Sequence, residues 1–415
     1  MRGRWTAVAP IVLALCACRS AAAVPAIAGA ARSPCGPGRF VAVHQGREPI
    51  VAWFAARSYE PEATATLVLR PRVSRLTVSV LRVAGSDWWS EMEPASTFRF
   101  DRPVRSVGIE LGNWPSGLYF ARVTTRLGTF FAPIILRPRP PGTNRVAVVL
   151  PTNTWAAYNL RDSDGNGYGD SWYADPRVRT VVLGRPFTHG GVPRQLGGFV
   201  GWLEDQGLNA DFYSDEDLDT FTNGDRLASL YDLVVFAGHE EYVTQHVFAV
   251  TRRYRDLGGN LAFLSANNFF SRVRIRTGRM TCLGHFRRFG EPEAQLVGVE
   301  YVGWNRGVYR SRPYVVRSLS AAPWLFEGTG LRVGDRFGFS YGVEIDAVAR
   351  SSPPETRVVA VIPSIFGRGR TAQMTYYQTP AGAKVFAAGA MNFDTPQSSA
   401  TDKMLRNLWD YLSQP

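Results

Sequence analysis

Lysine is almost absent from this chain. Of its 47 basic residues only Lys384 and Lys403 are lysines, and the rest are arginines. Such a bias looks like GC-rich codon usage. The arginines are scattered without a dense run, so the net charge of +12 does not point to nucleic acid, and no such partner is expected. Cysteine is scarce as well, with four in 415 residues. His189, His246 and His285 are isolated and lack metal-ligand spacing. Ser116-Gly117 and Ser171 have no nucleophile-elbow context. No internal repeat is visible. Beyond the N-terminus no segment is long and apolar enough to span a bilayer. What is present is a 45% hydrophobic composition, enough for a substantial core and more than one domain.

The N-terminus reads as an export signal over residues 1–23. Two arginines precede the short apolar run Thr6–Cys18. Two exits are open. Leu15-Cys16-Ala17-Cys18 resembles a lipobox, which would place a lipid anchor on Cys18. Ala21, Ala22 and Ala23 suit ordinary cleavage instead. Either exit implies a bacterial exported protein: periplasmic, an outer-membrane lipoprotein or secreted. Cys35 and Cys282 then remain, and an oxidising compartment permits a disulfide between them without requiring it.

Residues 24–38 read as a flexible tether. Over 39–138, short alternating runs such as Thr64–Arg70, Leu76–Arg82 and Gly117–Val123 predict an N-terminal, immunoglobulin-like β-sandwich. Pro138–Gly142 lies at a linker assigned to 139–144. From 145 to 415 the texture changes to alternating strands and helices. Strands are expected at Val146–Leu150, Asn209–Tyr213, Tyr231–Ala237, Asn260–Ser265, Arg357–Ile362, Thr371–Tyr377 and Lys384–Ala388. Helices are expected at Leu196–Gln206, Phe248–Leu257 and Ala400–Leu412. The fold class is thus multidomain β plus α/β, a sandwich followed by a doubly wound parallel-sheet domain. Residues 270–350 read as irregular and folded over the active face.

The run Leu233–Ala237 has the uninterrupted apolar character of a strand buried on both faces. Gly238 ends it, and His239, Glu240, Glu241 and Tyr242 follow at once. Ligands of open α/β sheets bind at the carboxyl ends of strands, so this strand end is the leading site candidate. Carboxylates also suit a helix start, which is the plainer use of Glu240.

Several stretches in fixed order resemble the large, catalytic subunit of N,N-dimethylformamidase. They are Ser116-Gly-Leu-Tyr119, Trp155-Ala-Ala-Tyr-Asn159, Arg185-Pro-Phe187, Asp215-Glu-Asp-Leu218, Gly238–Thr244, Ser265-Ala-Asn-Asn268 and Gly342-Val-Glu-Ile-Asp346. The resemblance implies a glutamine-amidotransferase-like α/β domain and a mononuclear ferric iron held by Tyr119, Tyr158 and Glu241, at the meeting of the two domains. Phenolate and carboxylate are hard oxygen donors suited to such an ion. His239 then stands beside the metal as base or orienter, Asn267 steadies a developing oxyanion, and Glu344 is a second acid/base. Ser116 and Phe393 match the surrounding catalytic and substrate-pocket shell. The implied function is hydrolysis of a small linear amide, in a homo-oligomer or with a small partner subunit. The chain is short for that catalytic subunit, and Tyr168–Tyr173 sits in what looks like an insertion.

Asp162, Asp164, Asn166, Tyr168 and Asp170 follow the first part of a calcium loop, with Gly167 at the sharp turn. The usual twelfth-position glutamate is Tyr173 here, so Asp175 is the candidate replacement. A plain Asx/Gly turn gives the same sequence. A different class of function is also open: a non-catalytic cell-surface protein binding carbohydrate or a partner through Tyr301, Trp304, Tyr309, Tyr314 and Trp324.

Overall fold

The computed structural model describes residues 33–36, 40–43, 48–87, 91–188, 193, 198–305 and 311–415. The export signal with Cys18, the tether apart from 33–36, His189 and Tyr309 lie outside the described residues. Among these residues no helix is long and apolar enough to cross a membrane.

The N-terminal lobe stacks two sheets. Val51–Phe54, Thr64–Val73 and Val104–Glu110 form one. Ser58–Tyr59, Gly128–Leu136, Gly117–Thr125, Leu76–Val83 and Met92–Phe100 form the other. Alternation along the strands sends Ala65, Leu67, Val78, Val80, Tyr119, Ala121 and Ile134 into the space between. The five-stranded sheet is buried on its second face too. Leu118, Phe120 and Ile135 point away from the sandwich interior and join a core with Val148, Phe199, Trp202 and Phe212 of the following lobe.

That second lobe is built on an 11-stranded sheet. Asp211–Ser214, Val146–Leu150, Leu233–Phe236, Asn260–Phe263 and Lys384–Ala387 run parallel, as the alternating sequence texture predicts. Helices cover both faces of this half. Val247, Phe248 and Tyr254 of Gln245–Asp256 pack on one side, and Met404, Leu405 and Leu408 of Ser399–Leu412 pack on the other. The sheet then departs from the doubly wound expectation. Ala372–Gln378, Arg357–Ile362, Ser311–Val316, Arg336–Ala347 and Glu300–Trp304 extend it in antiparallel fashion. Much of 270–350, expected to be irregular, therefore consists of strands. Its many arginines and glycines hide the period-2 pattern because bulges interrupt the register at Tyr301/Gly303 and Arg312/Tyr314.

Gly238, at φ 111°, ends the central strand in a conformation that a side chain would strain. Three residues later the chain enters a separate four-stranded sheet of Tyr242–Thr244, Ser271–Arg276, Arg279–His285 and Thr180–Val182. His239, Glu240 and Glu241 thus span the gap between two sheets, and all three are buried. Cys35 and Cys282 are joined in a disulfide that ties the N-terminal segment to the inner strand Arg279–His285 of this small sheet.

Candidate active site

The backbone of the crossing segment is held on both sides. Glu240 N–H donates to Asn268 Oδ1 at 3.1 Å, and Glu241 N–H donates to Thr154 Oγ1 at 3.1 Å. Phe269 N–H and Ser271 N–H return to the carbonyls of Glu240 and Glu241. The Glu241 carboxylate is therefore fixed beneath the end of the short helix Thr152–Ala157, where Tyr158 follows as C-cap.

Three oxygens meet there. Tyr158 OH donates to Glu241 Oε2 at 3.0 Å, and Tyr173 OH donates to the same oxygen at 3.0 Å. The two hydroxyls are themselves 3.0 Å apart. The result is a nearly equilateral triangle of oxygens. Around it, His239 Nε2 lies 3.2 Å from Glu241 Oε2 and 3.4 Å from Tyr158 OH. Glu344 Oε1 accepts from Tyr158 OH at 3.2 Å, and its Oε2 accepts from Asn267 Nδ2 at 2.7 Å. Tyr242 OH makes a very short hydrogen bond to Tyr173 OH, fixing that ring from behind. The rings of Tyr158 and Tyr173 lie 4.3 Å apart.

Burial raises both phenols well above their ordinary titration range, and the negative charge of Glu241 adds to it. Burial also raises the Glu344 carboxyl, and the adjacent Glu241 adds to this. For His239 burial acts against the charged form, but Glu344 and Glu241 outweigh it and lift the imidazole to about 9. Its Nδ1 lies 2.8 Å from the Ala266 carbonyl, so Nδ1 carries the proton and Nε2 is the end that faces the triangle. Asn267 is held in the left-handed region at φ 56°. Its N–H donates to both oxygens of Asp346 at 2.8 Å, and burial pushes that carboxyl up to about 8. Asn267 Oδ1 is buried and no donor reaches it.

The site gathers more anionic groups than its one imidazole can balance. In the protein as described, protons on the phenols fill that deficit. The chemistry suits a hard cation. Ligand oxygens on an octahedral ion with bonds of about 2.1 Å sit roughly 3 Å apart, which is the spacing of the Tyr158–Tyr173–Glu241 triangle.

Sequence reasoning placed Tyr158, Glu241, His239, Glu344 and Asn267 here, and the structure brings all five together. It does not bring Tyr119. That side chain points into the sandwich interior, stacks on Trp114 at 5.8 Å, and donates its hydroxyl to the Pro115 carbonyl at 2.8 Å. Strand alternation decides this: Phe120 faces the α/β lobe, so Tyr119 cannot. Tyr173 occupies the position expected of it. Ser116 is a tie between lobes, donating to Leu136 O and accepting from Phe212 N–H, each at 2.8 Å. Phe393 packs in the core against Phe386, Tyr341 and Tyr314. Glu240 starts no helix. Its carboxyl is buried against that of Asp215, and burial raises both groups. Asp215 Oδ2 accepts from Asn153 N–H at 2.7 Å. Asp215 Oδ1 and both Glu240 oxygens meet no other donor, so the pair is held with a proton between them rather than as two carboxylates.

In the loop after Tyr158, carboxylate oxygens of Asp162, Asp164 and Asp170 lie within 4.8 Å of one another. Asn166 turns its Oδ1 to the Tyr168 N–H, and the Tyr168 ring packs on Phe40. Asp175 is not available to this loop, because Arg177 holds both its oxygens.

Residues 95–396 match the family model for the C-terminal part of the N,N-dimethylformamidase beta subunit-like proteins. The chain belongs to that family. No curated protein matches it. All of the site residues above lie within the matched span, and so does the whole Asp162–Asp170 loop. The sandwich strands before Ala95 lie outside it, as does the disulfide partner Cys35.

Proposed function

We propose that this protein is an exported amidohydrolase with a single iron held by Tyr158, Tyr173 and Glu241, acting on a small linear amide. The observation that carries the proposal is the 3.0 Å triangle of two phenol oxygens and one carboxylate oxygen, buried beside His239, Glu344 and Asn267. Family membership supports hydrolysis of an amide bond, and it would make this chain the counterpart of a catalytic subunit. The disulfide supports an oxidising, extracytoplasmic location.

A ferric ion on these three oxygens would polarise the amide carbonyl and acidify a bound water. The protein supplies the rest. His239, its Nδ1–H anchored on Ala266 O, presents Nε2 to accept a proton from the attacking water. Hydroxide adds to the carbonyl carbon, the C–N bond breaks, and the amine nitrogen takes a proton. Glu344, held by Asn267 and Tyr158 and 3.9 Å from His239 Nε2, would relay to the amine the proton that His239 took from the water, so both groups return to their starting states. Asn267 Oδ1, without a donor of its own, orients an N–H or a water at the reacting centre rather than an oxyanion.

The non-catalytic reading finds no support in its aromatic residues. Tyr314 is fully buried, Trp324 stacks on Tyr411 at 4.3 Å, and Tyr301 leans on Phe270 at 4.9 Å. These three are each engaged with separate neighbours. The same proposal assigns a structural calcium ion to the Asp162–Asp170 loop, supported by the convergence of its three carboxylates. The function is tested by incubating iron-loaded protein with simple formamides and acetamides and measuring released amine. Turnover abolished by Glu241→Gln supports the proposal. An iron-loaded protein inert on every short amide would overturn it.

A further inference from the structure

Away from the tyrosine cluster, one buried and one partly buried guanidinium group line a narrow cavity where the sandwich meets the α/β lobe. Arg57 comes from the sandwich side and Arg185 from the loop that follows Thr180–Val182. Their partners balance them only in part. Among the described residues no carboxylate lies within ion-pair distance of Arg57. It donates to the Leu183 carbonyl and lies over the Phe187 ring at 5.5 Å. Its nearest negative charges are those of Glu216 and Asp215, acting through space. Arg185 spends its terminal nitrogens on the carbonyls of Arg161, Ala156 and Asn159, and Asp170 stands off at 3.7 Å. The residue is only 7% exposed, yet its Nε–H has no acceptor. Burial, with smaller contributions from Arg57 and Arg161, pushes its guanidinium down to about 10 against the opposing pull of Asp170.

A buried N–H without an acceptor is costly, and two like charges sharing an apolar cavity are costlier. We propose that this cavity binds one small inorganic anion, chloride in a chloride-containing medium, between Arg57 and Arg185. The cavity has room for a single ion and not for an organic substrate. Its other walls, from Trp53, Phe54 and Pro133, are apolar and favour a weakly hydrated monovalent ion over sulfate or phosphate. The ion joins Arg57 of the sandwich to Arg185 of the second lobe. It also steadies Arg185, whose Nη2 holds the carbonyls of Ala156 and Asn159 on either side of Tyr158.

The test uses the full-length protein, desalted into gluconate and titrated with chloride at constant ionic strength. The melting temperature is expected to rise to a plateau on the order of 1–3 °C above the gluconate value. In Arg57→Gln, which leaves the carbonyl contacts of Arg185 intact, the saturable part should vanish. Crystals of unmodified protein grown in bromide should show an anomalous peak between the two guanidiniums. A melting temperature indifferent to chloride, an Arg57→Gln variant that keeps the saturable rise, or a bromide map empty at this cavity would each overturn the proposal. None of these outcomes depends on the iron site.

Discussion

Tyr173 and Tyr158 donate to one oxygen of one carboxylate, and each hydroxyl also touches the other. Removing either hydroxyl removes one corner of the triangle while leaving a phenyl ring of nearly the same shape. Tyr158→Phe and Tyr173→Phe should therefore fold normally but lose tightly bound iron, as metal analysis would show. His239→Ala should keep the metal and lower turnover by about 10²–10⁴-fold, measured as kcat on the same amide. Charge balance gives a pH prediction for the metal-free protein. His239 and Asp346 have folded-state values raised to about 9 and about 8. A raised value stabilises the fold below the group's unfolded value, and that stability is lost as pH climbs through the raised one. The metal-free melting temperature should thus fall as pH rises from about 4, where the Asp346 contribution begins to be lost, to about 9, where that of His239 is spent. A bound cation favours neutral imidazole and ionised oxygens, so the loaded protein should show a flatter profile and release protons on binding. A steeper loss with metal bound would contradict this assignment. At this scale part of the site was legible, because His239, Glu241 and Asn267 follow strands with a plain apolar pattern, whereas Tyr158 and Glu344 were reached through the family motifs alone. Tyr173 was not. It fell at the twelfth position of an apparent calcium loop, where the eye looks for a missing glutamate and not for a ligand to something else.

Between residue and fold lie the loop and the cross-link that bring Tyr173 home. Asp162–Asp170 is stitched by its own side chains: Asp162 Oδ1 accepts from Gly165 N–H at 2.7 Å, and Asp170 Oδ2 accepts from Ser163 N–H at 3.0 Å. The chain then turns through Ser171 and Trp172 to Tyr173. Trp172 and Tyr242 pack against Cys35 and Cys282 in one small core. Gly36 follows Cys35 so closely against Trp172 that a Cβ there would lie 2.1 Å from the Trp172 carbonyl oxygen. The disulfide therefore clamps the segment that carries Tyr173. Cys282→Ser should cost about 2–5 kcal/mol in denaturant unfolding and weaken iron retention as well. An unchanged iron content would separate the clamp from the metal site. Chelating calcium with EGTA should lower the melting temperature of the unmodified protein if the loop is occupied, and Asp162→Asn should abolish that response. The disulfide was only permitted by the sequence, since its cysteines are 247 residues apart and no local pattern joins them. The antiparallel half of the large sheet was likewise hidden, because bulges and glycines break the alternation that reveals strands.

Taken whole, the molecule is two lobes with a shared apolar seam. Leu118 and Phe120 leave the sandwich to pack with Val148, Phe199 and Phe212, while Arg82–Glu204 at 2.6 Å and Arg137–Asp217 at 3.0 Å close its edges. The alternating strands of the first lobe and the apolar parallel strands of the second were readable as separate textures. The seam was not, since one strand facing two cores shows no polar side. Tyr119 was placed at the metal by the family motif alone, and strand alternation turns it into the sandwich while its neighbour Phe120 faces the second lobe. Phe120→Ala should cost about 3–5 kcal/mol, and calorimetry should show one transition moved as a unit; two separated transitions would mean that the lobes are independent. The central claim is the identity of the second tyrosine at the metal. Its most direct measurement is the iron content, with the visible phenolate-to-iron band, of Tyr173→Phe beside Tyr119→Phe. Loss of iron and band in Tyr173→Phe, with both retained in Tyr119→Phe, is the predicted result. Iron and band intact in Tyr173→Phe but lost in Tyr119→Phe would contradict it.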